Sequence, residues 1–173
     1  NGEKICPECG FEIERERKVQ EACNNARKAI QKYRFEDAQN YIDNARTIYP
    51  GYADIKNLQN ELKNKKKIID SKIEGIKQLI RDKKFVQAKN EYESLQKSVT
   101  EISDSQILSS IATGLNRANT FYQKAIQAGG REEEIVDNCT KALQECKDFE
   151  SARNMLLKYP PKPVTNLSVT DSN

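Results

Sequence analysis

From Val19 to Leu157 the apolar residues return every three or four positions, separated by residues that are mostly charged or amide. That spacing lines the apolar side chains along one stripe of a helix. Val19, Ala22, Cys23, Ala26, Ile30 and Tyr33 form a first stripe. Phe35, Ala38, Tyr41, Ile42, Ala45, Ile48 and Tyr49 form a second, closed by Pro50-Gly51. With so little chain between them, the two helices must fold back on each other as an antiparallel hairpin.

Ile55, Leu58, Leu62, Ile69, Ile73, Ile76 and Ile80 keep helical phase as far as Lys83. They predict one helix of about 32 residues, roughly 48 Å long. A break near Asn64 is the alternative, because Lys65 and Lys66 interrupt the stripe for one turn. Phe85, Ala88, Tyr92, Leu95 and Val99 predict a short helix. Ser103 with Gln106 then reads as a capping box opening a helix through Ile107, Ile111, Leu115, Ala118, Tyr122 and Ala125, stopped by Gly129-Gly130. Glu132, Glu133 and Glu134 suit the positive start of the next helix, whose stripe is Ile135, Cys139, Ala142, Leu143 and Cys146. A last short helix, around Phe149, Ala152, Leu156 and Leu157, ends before Pro160-Pro161.

A repeat underlies this order. Phe35-Glu36-Asp37-Ala38 returns fifty residues later as Phe85-Val86-Gln87-Ala88, and Ala45 through Leu58 is echoed more loosely by Ala142 through Leu156. A single hairpin cannot bury its apolar face alone, so the expected fold is all-α, with three layers of antiparallel hairpins stacked as a short solenoid or elongated bundle. The run Phe35, Ala38, Ile42, Ala45 and Pro50, with Ala26 before it, resembles the tetratricopeptide repeat, where small residues let two helices approach and a proline ends the second. The second copy departs from that pattern, with Leu95 and Thr100 in place of alanine and proline, and the period is longer than the family's roughly thirty-four residues. The resemblance implies a scaffold that binds a protein or peptide on its concave face.

The chain contains no histidine, which removes nucleophile–histidine pairs, histidine general bases and HExxH zinc sites. Its glycines are too scattered for a phosphate-cradling loop, so the expectation is a protein that is not an enzyme. With 29 basic and 26 acidic side chains the charges nearly cancel, to +3, and nucleic acid is not the expected partner. No apolar run approaches the ~20 residues of a membrane span.

Ile5-Cys6-Pro7-Glu8-Cys9-Gly10-Phe11 places two thiols three apart around a tight turn, where both can face one Zn²⁺. It resembles the second knuckle of a CPxCG zinc ribbon, which implies that Cys6 and Cys9 are half of a four-ligand zinc site. The other half is expected before Asn1; a disulfide, or two cysteines in a tail, are the alternatives. Cys23, Cys139 and Cys146 fall on apolar stripes and read as small core residues, with completion of the zinc site as the alternative. At the other end, Pro160-Pro161-Lys162-Pro163 followed by Val164-Thr165-Asn166-Leu167-Ser168-Val169 resembles the linker and first strand of a fibronectin type III domain. The expected division is 1–14 partial zinc knuckle, 15–158 helical repeat and 159–173 linker and extended tail. The layout resembles that of multidomain bacterial proteins that assemble other proteins, and the chain reads as an excised fragment of one. Lone thiols and a zinc ribbon favour a reducing cytoplasm over the cell surface.

Two surfaces are candidates for binding. Tyr33, Tyr41, Tyr49, Tyr52 and Tyr92 cluster near the hairpin turns, where any that project into a groove would anchor a partner. Lys63, Lys65, Lys66 and Lys67 form the most basic stretch. They read either as a solvated face interleaved with Glu61, Asp70, Glu74 and Asp82, or as a phosphate-binding surface of a nucleic-acid-binding module.

Overall fold

The computed structural model describes residues 13–99 and 102–160. Among them are seven helices and no strand: α1 (Ile13–Gln31), α2 (Phe35–Ile48), α3 (Ala53–Arg81), α4 (Phe85–Ser98), α5 (Ser105–Gln127), α6 (Glu132–Glu145) and α7 (Glu150–Leu156). The all-α expectation holds. Helix α1 already begins at Ile13, two residues before the expected boundary. Cys6, Cys9 and the tail from Pro161 onward lie outside the described residues.

The repeat is written into the backbone. Tyr33 and Lys83 both stand at positive φ, 57° and 59°, just past the ends of α1 and α3. In the first turn Tyr33 N–H donates to Ile30 O at 3.1 Å and Arg34 N–H to Ala29 O at 2.9 Å. In the second, Lys83 N–H donates to Ile80 O at 3.0 Å and Lys84 N–H to Leu79 O at 2.8 Å. This pair of bonds is the Schellman closure, which satisfies two of a helix's last carbonyls and demands a left-handed residue. Glycine usually fills that position; here a tyrosine and a lysine accept about 1–2 kcal/mol of left-handed strain. Tyr33, expected on the α1 stripe, is therefore a turn residue. The third turn instead uses Gly129 and Gly130, at φ 60° and 88°.

The looser echo is equally regular. Tyr49 N–H donates to Ala45 O, Tyr52 N–H to Tyr49 O and Ile55 N–H to Tyr52 O. Ninety-seven positions later, Cys146 N–H donates to Ala142 O, Phe149 N–H to Cys146 O and Ala152 N–H to Phe149 O. The second helix of every hairpin has 14 residues, whereas the first helices have 19, 29 and 23.

Helix α3 runs unbroken for 29 residues, through the lysine run. Lys65 sits where the stripe lapses between Leu62 and Ile69, and its ammonium lies 5.2 Å from the centre of the Tyr33 ring. A cation over an aromatic face thus occupies the turn that an apolar residue would have filled. Helix α5 starts at Ser105, so Asp104 and not Ser103 precedes it. Asp104 N–H is already engaged by the Tyr92 hydroxyl at 2.7 Å, which fixes the entry one residue later than the capping box predicted.

The described residues divide into two compact units: those up to Gln78 with those of Asn90–Asp104, and those of Leu79–Lys89 with those from Ser105 to Pro160. In the first, Val19, Cys23, Ala26 and Ile30 of α1 meet Ala38, Ile42 and Ala45 of α2, and Ile55, Leu58 and Leu62 of α3 close the core. Ala26, Ala38 and Ala45 are fully buried, as the small-residue pattern implied. In the second, Ala125, Ala128, Ile135, Cys139, Ala142 and Ala152 form the centre, bordered by Tyr122 and Phe149 in edge-to-face contact at 5.6 Å.

Candidate interaction surface

Helix α3 turns Ile55, Leu58 and Leu62 into the core of the first unit, which leaves the amide and lysine positions beside them to solvent. With Gln39 of α2 they enclose an open groove of about 910 Å³. Four amides line it, Gln39, Gln59, Asn60 and Asn64, together with Lys63, Lys66, Lys67 and a single carboxylate, Asp70. Leu62, almost completely buried, lies at its base. Gln39 is itself positioned, its amide nitrogen 3.0 Å from the Asp43 carboxylate one turn on. Three of the four candidate lysines share this groove. Lys65 does not line it and belongs with Tyr33. The amides were missed in the sequence because a polar helix face with this composition reads as plain solvated surface.

None of the candidate tyrosines lines this groove. Tyr41 is half-buried against the first core. Tyr49 and Tyr52 pack there too, rings 6.1 Å apart, with the Arg15 guanidinium 5.7 Å from the Tyr49 centroid. Tyr33 meets Phe35 edge to face at 6.1 Å. Tyr92 is only 1% exposed and its hydroxyl accepts the Asp104 N–H, so it is a core residue and cannot serve as an anchor.

The described thiols, Cys23, Cys139 and Cys146, are reduced and buried. Burial pushes each pKa up, and for Cys146, which also donates to the Asp148 carboxylate at 3.0 Å, up to about 11. They are held as neutral thiols, the opposite of what a reactive cysteine requires. Among the described residues no group of His, Cys, Asp or Glu is arranged to hold a metal ion.

The second unit contains a smaller cleft of about 330 Å³. Lys83 and Arg117 approach Glu145 across it, at 3.8 and 3.9 Å, beside the Phe85 ring and the hydroxyls of Ser110 and Thr113. Its two cations already share an internal carboxylate, and Lys83 also donates to Gln144 O at 2.9 Å. The cleft is thus a junction joining the second hairpin turn to α5 and α6.

Among the described residues no helix is long and apolar enough to cross a membrane. Set against family models, curated proteins and solved structures, the chain has no match in any of the three.

Proposed function

We propose that the helical segment is a non-enzymatic protein-interaction scaffold, tetratricopeptide-like in its use of small residues between paired helices, within a larger modular protein. The groove beside α3 carries this reading. It is open, long and lined by amides and lysines, which suits a chain segment better than an enclosed small molecule. The half zinc knuckle at Cys6 and Cys9 and the fibronectin-like tail extend the proposal to a layout in which this segment spaces two other modules. Placing a photo-crosslinking amino acid at Asn60, in the groove, and at Glu133, outside it, tests the scaffold. Adducts are expected from position 60 and not from 133, and unlabelled protein should compete them away. Equal or absent labelling at the two positions would sink the proposal.

The basic run supports a second reading, nucleic-acid binding, because Lys63, Lys66 and Lys67 are exposed along one helix. It predicts steeply salt-dependent binding of DNA or RNA that is lost when Lys65, Lys66 and Lys67 become Gln. No binding at low salt removes it.

A further inference from the structure

Resting on the scaffold reading, we infer that the groove beside α3 takes an extended acidic peptide with carboxylates at alternate positions and one apolar side chain. The lining sets the charge: three lysines face a single carboxylate. Lys63 and Lys67 are four residues apart on α3, a rise of about 6 Å. Alternate residues of an extended chain project on one side about 6.6 Å apart, so two such carboxylates match that pair. The four amides each offer a donor and an acceptor, as an extended main chain requires for its own N–H and C=O groups.

The groove does not stop at Asp70. An adjoining hollow shares Asn64 and Lys67 and adds Ile68, Ser71 and Lys72. Ile68 is 52% exposed, a large apolar side chain set among lysines. It offers contact to one apolar residue of the peptide, next to the carboxylate-binding stretch. From Gln59 to Lys72 the surface runs about 20 Å along the helix, the length of roughly six extended residues. Single-stranded nucleic acid fits less well. Bases bind by stacking on rings, and none of the described residues lining either hollow is aromatic.

Fluorescence anisotropy on residues 1–173 tests this with a fluorescein-labelled hexapeptide of alternating glutamate and serine carrying one leucine, at about 50 mM salt, where charge attraction is little screened. The controls are the same peptide with lysine for glutamate, and a six-nucleotide oligouridylate. The acidic peptide is expected to bind in the micromolar range and the lysine peptide not to bind. The K63Q/K66Q/K67Q variant should weaken binding at least tenfold. Ile68→Ser should weaken it about threefold or more at any salt, while K18Q/K28Q/K32Q, at exposed positions on α1 and in the turn that follows it, should change it less than twofold. Circular dichroism confirms that each variant is folded. No binding of the acidic peptide, equal losses from the two lysine triples, or a preference for the oligonucleotide would overturn the inference. Adducts at position 60 that survive K63Q/K66Q/K67Q would overturn it too, while leaving the scaffold reading intact.

Discussion

The ring of Phe85 lies over Gly114 so closely that a β-carbon on Gly114 would stand 2.3 Å from it. Glycine is costly inside a helix, by roughly 0.5–1 kcal/mol against alanine, so its presence in the middle of α5 needs a reason. The first residue of α4 supplies one, because no other side chain leaves room for the ring. Gly114→Ala should therefore destabilise the protein, since overpacking of about 1–3 kcal/mol outweighs the helix-propensity gain. Adding Phe85→Leu to Gly114→Ala should recover part of the loss, which urea unfolding of the two single variants and the double variant would reveal as a non-additive pair. Additive effects would show that the two residues do not meet.

Asp148 should matter to α4 although it is far from it in sequence. Its carboxylate accepts the N–H groups of Val86 at 3.2 Å and Gln87 at 2.7 Å, at the positive end of that helix. Lys147 N–H donates to Lys83 O at 2.9 Å and holds the acceptor in place. Asp148→Ala should cost about 1–2 kcal/mol, as loss of an N-cap does, with Asp148→Asn intermediate. Amide hydrogen exchange should accelerate first at Val86 and Gln87.

The Cys146 thiol gives a pH dependence of known sign. Its pKa rises from an ordinary 9.0 to about 11 through burial and then through its bond to Asp148. Folding therefore favours the protonated thiol. The associated stability is present below pH 9 and is lost as pH rises towards 11. Whatever Cys146→Ala costs at pH 8 should shrink between pH 9 and 11, measured as the difference in urea midpoint between variant and parent. A constant difference across that range would contradict this.

The left-handed turn residue should be selective about its replacements. At Lys83, Asn tolerates φ near 60° and should change stability by less than about 1 kcal/mol despite the lost contact with Gln144. Lys83→Ile puts a β-branched side chain in the same conformation and should cost about 1–2 kcal/mol more than Lys83→Asn by thermal unfolding. Equal stability of the two variants would mean that the turn relaxes without difficulty.

Periodicity made the helices legible, down to the stop at Gly129-Gly130 and the short helix opened by Phe85, because burial of a stripe leaves its spacing in the chain. The Schellman turns were half visible: the match of Phe35 with Phe85 aligns Tyr33 with Lys83, but neither residue type announces a positive φ. Leu115 falls on the apolar stripe, yet Gly114 is the buried position and Leu115 only half-buried, because the space is filled by a ring from another helix. Asp148 and α4 likewise lie some sixty residues apart, and such a pair leaves no periodic trace. Of the candidate surface, the lysines were legible as charge, whereas the amides beside them became informative only once α2 brought Gln39 to the same groove.

The cap on α4 also bears on the order in which the molecule is made. During synthesis Val86 and Gln87 emerge long before Asp148, so the start of that helix must hold its amides to water until the third hairpin has left the ribosome. A chain released before that point would keep its middle hairpin loose at one end, a ready place for a protease to begin.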